Sequence, residues 1–215
     1  MDILVAGAST PKSIGRAIGQ AAELDGHSVT YLSRNPRADH VQVADITKAL
    51  DVDLVFKGMS PDVVVHAAGI YTNAAHLGWM SSRGDLRKIK VHLAAKTMGA
   101  YLLLNAAARA NAQYFIALGG RAVSSEPGYA WYTAGTGALW SLVEFANLHS
   151  NLKAYFIDLP LVAGSAMGEQ FRADESMSRD YTGMIKMSQV TDATTKILKG
   201  EVEPGRIILG EGWTK

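Results

Sequence analysis

Along this chain, short apolar runs alternate with longer stretches in which apolar residues recur every three or four positions. Ile3 to Ala6 is a β-rich run that stops at Gly7. From Ser13 to Leu24 the pattern turns helical, with Ile14, Ala17, Ile18, Ala21 and Ala22 at helical spacing. A second strand is predicted at Val29 to Leu32 and a short third at Val41 to Val43, followed by a helix over Ile46 to Phe56. Asp62 to His66 is apolar at almost every position, as suits a strand buried on both faces. A long helical pattern runs from Leu86 to Ala112, and a fifth strand from Tyr114 to Leu118 ends at Gly119-Gly120. The helix predicted at Thr133 to His149 precedes a sixth strand, Ala154 to Ile157, which Pro160 terminates. A late helix at Gln189 to Leu198 and a seventh strand at Arg206 to Leu209 complete the series. Strands alternating with helices predict an α/β fold: a doubly wound parallel sheet of about seven strands, helices on both faces, right-handed crossovers. The rhythm falters only between Val162 and Lys186, rich in Gly, Met, Ser and charge. Two readings stay open there: a lid over a site, or a short helix with surface loops.

Composition narrows the class. With 215 residues, 48% of them hydrophobic, the chain fills one core, and a single domain over residues 1–215 is expected. The formal net charge is +1, which offers no broad basic face, so nucleic acid is not an expected partner. No cysteine is present, which excludes disulfides and thiolate metal sites, and no metal is expected. The start, Met1-Asp2-Ile3-Leu4-Val5, lacks a signal peptide's basic and apolar regions. The apolar stretch Ala100 to Ala110 contains Asn105 and Arg109 and is too short to span a bilayer. The expectation is a soluble cytoplasmic protein without a membrane partner.

Candidate chemistry begins at Gly7-Ala8-Ser9-Thr10-Pro11-Lys12-Ser13-Ile14-Gly15. A glycine at a strand end permits a tight turn, and small residues such as Ser9 let the backbone approach a pyrophosphate. The following helix offers free N–H groups and a positive dipole end to that anion. Ser13 is a plausible N-cap, and Gly15 lets helix and strand pack closely. Between a strand and a helix at the chain's start, this is the context of a dinucleotide-binding Rossmann turn; an ordinary strand–helix turn without ligand is the alternative. The second strand ends Tyr31-Leu32-Ser33-Arg34-Asn35, with no acid to hold the ribose 2′-hydroxyl of NAD. Arg34 can pair with a 2′-phosphate and Ser33 can hydrogen-bond it, with Lys12 and Arg37 adding charge. NADP(H) is therefore expected over NAD(H), unless Arg34 is only a solvated loop residue.

From about Ile3 to Gly210 the chain resembles the short-chain dehydrogenases/reductases. Its longer turn is similar to that of enoyl-acyl-carrier-protein reductases, where a Ser-Ile pair, here Ser13-Ile14, replaces the middle glycine. The resemblance implies that Asp45 and Ile46 contact the adenine. His66-Ala67-Ala68-Gly69-Ile70 matches the family's Asn-Asn-Ala-Gly block, which would put Ala68 and Gly69 against the adenosine ribose. Pro160 matches the segment flanking the nicotinamide, with Leu161 where glycine is common.

The family's proton donor is a tyrosine, with a lysine one helical turn later that lowers its pKa and holds ribose. Tyr132 occupies the tyrosine position and Thr136 the lysine position; the enoyl-reductase frame points to Tyr129 and again to Thr136. In both frames the lysine is missing. The expected serine falls at Gly119-Gly120, with Ser124 and Ser125 nearby, and His92 replaces the asparagine of the long helix. An unperturbed tyrosine, with a pKa of ~10, is a poor base at neutral pH, and losing the ammonium removes the charge that would favour its anion. His92 could relay protons, and His76 and Lys96 are more distant candidates.

Two readings follow. In one, the chain is an NADP(H)-dependent oxidoreductase reducing a carbonyl or activated double bond of a small organic substrate. In the other, a catalytically degenerate relative binds NADP(H) as a sensor or scaffold, or uses the fold for a non-redox step. The resemblance also implies a homodimer or homotetramer built on the two long helices.

Overall fold

The computed structural model describes residues 1–35, 41–69, 86–120, 130–172 and 184–210. In chain order the elements are β1 (Asp2–Ala6), α1 (Ile14–Leu24), β2 (Ser28–Ser33), β3 (Val41–Val43), α2 (Ala49–Gly58) and β4 (Val63–His66). Then come α3 (Leu86–Leu93), a π-helical turn (Ala94–Met98) and α4 (Gly99–Arg109), followed by β5 (Tyr114–Gly120) and α5 (Ala130–His149). The series ends with β6 (Lys153–Leu159), α6 (Ala166–Arg172), α7 (Met187–Leu198) and β7 (Gly205–Ile208).

The seven strands form one sheet in the order β3-β2-β1-β4-β5-β6-β7, and every pairing is parallel. This is the expected doubly wound α/β arrangement. Alternation along each strand divides the core. Leu4 and Ala6 of β1 face the side covered by α2, α4 and α5, with Val52, Leu103, Leu139 and Val143. Ile3 and Val5 face the side covered by α1 and α7, with Ile18, Val190 and Ile197. The chain leaves β1 in one direction for β2 and in the other for β4, so the sheet's winding switches between β1 and β4. In such sheets the crevice at the C-terminal strand ends, at the switch point, is where ligands bind.

Among the differences in detail, three concern helices that border the cleft or its sheet face. The helix expected from Ile46 starts at Ala49, because Asp45 closes a turn on Thr47. The helix expected from Thr133 starts at Ala130. The long helix contains a π turn and ends at Arg109. The irregular segment holds α6 and a parallel bridge between Val162 and Ile185. No helix among the described residues is long and apolar enough to cross a membrane.

Candidate active site

The turn after β1 is held by backbone proximity. Gly7 has φ +101°, and a Cβ there would lie 2.5 Å from the carbonyl carbon of Ala67. A Cβ on Gly15 would lie 2.9 Å from the Gly7 carbonyl oxygen. Both glycines are thus required by the approach of β1, β4 and α1, and Gly15 acts beneath the turn rather than on the cleft wall. Ser13 caps α1 as expected: its Oγ accepts from the Arg16 N–H at 3.3 Å and donates to the Thr10 carbonyl at 2.8 Å. The Thr10 Oγ1 is buried and has no hydrogen-bond partner among the described residues.

The turn opens onto a cleft of about 410 Å³. Gly7, Ser9, Ser13 and Ile14 line it from the turn. Ser33 and Arg34 line it from the end of β2, and Asp45, Ile46, Ala68 and Gly69 from the loops after β3 and β4. Arg34 is exposed and pairs with no described acid. The Asp45 Oδ1 accepts from the Thr47 N–H at 3.0 Å and from its hydroxyl at 2.7 Å, fixing that wall. On the opposite rim, the Ala166 N–H donates to the Lys12 carbonyl at 3.0 Å, and the Lys12 ammonium pairs with Glu169 at 2.9 Å. The segment around α6 thereby rests against the turn.

A smaller cavity of about 70 Å³ adjoins, sharing Ile14, Ala67, Gly69 and Met167 with the cleft. Tyr132, Pro160, Gly119, Gly120 and Lys96 line it. The Tyr132 hydroxyl lies over Gly120, where a Cβ would come within about 2.3 Å of it. The absence of a side chain at 120 is therefore what admits the phenol. The Tyr132 ring packs on the His92 imidazole, centroids 5.0 Å apart. His92 is fully buried and lies outside the cavity lining. Thr136 is also outside it: its methyl faces Gly119, and its hydroxyl is buried without a hydrogen-bond partner among the described residues.

Lys96, on the π turn, is 4% exposed, and its ammonium donates to the Leu118 carbonyl at 2.8 Å. Burial pushes it down to about 8. His66 at the end of β4 is fully buried, with Nε2 donating to the Ala95 carbonyl at 3.0 Å and Nδ1 without a partner among the described residues. Burial first, then the Lys96 charge, pushes His66 down to about 3, so its imidazole is neutral. Tyr129, Ser124, Ser125, Arg37 and His76 lie outside the described residues.

The structure therefore gathers Gly7, Ser9, Ser13, Ile14, Ser33, Arg34, Asp45, Ile46, Ala68 and Gly69 around one cleft, with Tyr132 and Pro160 beside it. It leaves His92 and Thr136 behind the wall. It adds Lys96, which the sequence offered only as a remote candidate. A signal for it existed: Lys96 follows His92 by four residues, placing both on one helical face. Among the described residues, no group of acids and histidines is arranged to hold a metal.

A model of the family described as "NAD dependent epimerase/dehydratase family" matches residues 3–129, more than half of the chain. No curated protein matches the chain significantly. Among solved structures, the closed form of a serine dehydrogenase complexed with NADP+ superposes with a TM-score of 0.78 at 16% identity. That match covers 100% of this chain and 96% of the other. An alcohol dehydrogenase from Thermococcus sibiricus, complexed with 5-hydroxy-NADP, gives 0.72 at 18% identity, covering 100% and 97%. The ligand-free aldohexose dehydrogenase of Thermoplasma acidophilum gives 0.80 at 16%, covering 97% and 91%. At such identities these likenesses establish the fold.

Proposed function

Since the chain belongs to the NAD dependent epimerase/dehydratase family, we propose that it is an NADP(H)-dependent oxidoreductase that reduces a carbonyl or activated double bond of a small organic substrate. The observation that carries this reading is the joined pair of cavities, a dinucleotide-sized cleft at the phosphate turn leading to a pocket that holds Tyr132 and Pro160.

The residues present fit a nicotinamide dinucleotide. The bare Gly7 lets β1 and β4 close up beneath the turn, and the Thr10 hydroxyl, without a partner among the described residues, offers a donor inside it. The N–H groups at the start of α1 would hold the pyrophosphate. Asp45 and Ile46 would border the adenine, and Ala68 and Gly69 the adenosine ribose. Arg34 and Ser33 would meet a 2′-phosphate, with no acid at the end of β2 to repel it. Bound there, the dinucleotide supplies a hydride to an electrophilic carbon.

Tyr132 then donates its phenolic proton to the substrate oxygen that gains the electron pair. An un-ionised tyrosine serves this direction, so the missing lysine at position 136 is less damaging to reduction than to oxidation. The alternative of a dinucleotide-binding protein without turnover is favoured by Thr136 and by Gly119-Gly120 at the serine position. Tyr132 at the pocket favours the enzyme.

Fluorescence titration separates these readings. NADPH is expected to bind more tightly than NADH, and Arg34→Ala to weaken NADPH roughly tenfold or more while leaving NADH unchanged, as loss of a charge-assisted pair predicts. NADPH oxidation across a panel of ketones and enoyl thioesters should fall at least about a hundredfold in Tyr132→Phe. No association with either cofactor at millimolar concentration would refute the assignment, whereas tight binding without turnover would select the non-catalytic alternative.

A further inference from the structure

We propose that Lys96 is the active-site cation: it enters from the π turn between α3 and α4, supplies positive charge to the Tyr132 phenol, and so stands in for the lysine that position 136 lacks. The inference rests on the reading of Tyr132 as proton donor.

The two helices meet where this requires. His92 packs its ring on Tyr132, 5.0 Å between centroids. One turn further along each helix, Gly135 opposes Lys96. A Cβ at 135 would lie 3.3 Å from the Lys96 Cβ and 3.2 Å from the His92 Nε2, so the bare glycine gives the lysine stem and the imidazole their close approach to α5. The stem ends at the Leu118 carbonyl, 2.8 Å from Nζ, on the wall of the cavity that also holds the Tyr132 hydroxyl. That hydroxyl sits over Gly120, two residues along the same strand. The π turn interrupts the helix at the very residues that bring Lys96 there, and such turns concentrate at functional sites.

Energetics point the same way. Burying an ammonium is costly unless a counter-charge repays it. Among the described residues no carboxylate pairs with Lys96; its ammonium meets the Leu118 carbonyl, lies near neutral His66 and shares a cavity wall with Tyr132. A structural lysine would be expected to reach an acid or solvent, and this one reaches a cavity. In low-dielectric surroundings an ammonium strongly favours a nearby anion, including a phenolate formed when Tyr132 gives up its proton. Relocating the charge from α5 to the facing helix changes which backbone carries it and keeps a cation on the wall of the cavity that holds the phenol.

The test follows tyrosine ionisation in the full chain by NMR with 13Cζ-labelled tyrosine, Tyr132→Phe identifying the signal. Tyr132 is expected to ionise at lower pH in the wild type than in Lys96→Gln. Glutamine keeps an N–H for the Leu118 carbonyl but carries no charge, so a purely structural lysine would leave the Tyr132 midpoint where it was. An unchanged midpoint in Lys96→Gln overturns the proposal. If that variant does not fold, the wild type decides alone: Tyr132 must ionise while Lys96 still carries its charge, so a Tyr132 midpoint above about 8 overturns it equally. NADPH fluorescence on the same samples reports the cofactor assignment separately. Failure to bind NADPH with a lowered Tyr132 midpoint would sink the oxidoreductase reading and leave the Lys96–Tyr132 pairing standing.

Discussion

At His66, one side chain makes its own contribution to how the folded chain responds to acid. The imidazole is sealed between β4 and the π turn, neutral, with Nε2–H committed to Ala95. Its folded value of about 3 lies below the 6.5 it returns to on unfolding. The unfolded chain therefore binds the extra proton, and stability present above pH 6.5 is lost as pH falls toward 3. The slope attributable to this one group approaches about 1.4 kcal/mol per pH unit inside that window. Urea midpoints of the wild type should accordingly drop between pH 6.5 and 5 more steeply than those of His66→Asn, which keeps a donor for Ala95 and cannot titrate. Carboxylates shared by both proteins cancel in the comparison, and parallel curves would contradict this account. Lys96 is depressed in the same sense, so between pH 8 and 10.5 the folded state sheds a proton that the unfolded chain retains, and stability rises with pH there too.

At the scale of elements, α6 sets how the cleft meets its ligand. It is tied to the phosphate turn by the Ala166–Lys12 backbone bond and by the Lys12–Glu169 pair. Both side chains of that pair are largely exposed, so it adds less than about 1 kcal/mol to stability. It also spends a cation that an incoming phosphate would use. Glu169→Gln should therefore leave the melting temperature nearly unchanged while tightening NADPH a few-fold in low salt, an effect that fades as salt screens it. Weaker binding by this variant would mean that α6 itself, docked through Glu169, contributes more to the ligand than Lys12 does. The sequence left a short helix open as one reading of Val162 to Lys186, but not its ties to the turn, because that placement depends on the long-range bridge from Val162 to Ile185. The strands were legible because burial on both faces leaves uninterrupted aliphatic runs such as Val63–Val65. The tight turn after β1 was legible because Gly7 and Gly15 answer to close backbone contacts that a side chain would block. The π turn was not, since an extra residue in one helical turn leaves the apolar spacing of Leu86 to Ala112 almost intact. Thr136 and His92, matched by linear position, lie off the cavity wall.

For the whole molecule, the sheet's two sides are finished differently. The side that carries α4 and α5 exposes Tyr101 at 48% and Phe145 at 59%, with Leu148 at 78% and Trp131 at 40%. Large apolar groups on two neighbouring long helices are more than one protomer needs to cover its core, and a second copy of the chain is the occupant the family resemblance implies. A homodimer should therefore appear in light scattering at micromolar concentration. Introducing charge at Phe145→Glu together with Leu148→Glu should yield monomers. Because both side chains are already solvated in the single protomer, the folded monomer should lose little intrinsic stability, so any fall in melting temperature would depend on protein concentration. The dinucleotide cleft lies at the sheet's C-terminal edge and is lined within one chain, so NADPH affinity per protomer should survive dissociation. A wild type already monomeric at these concentrations would show that the exposed face of α5 serves something other than self-association, whereas a monomeric variant that loses NADPH would show that the interface holds α5, and with it Tyr132, in place.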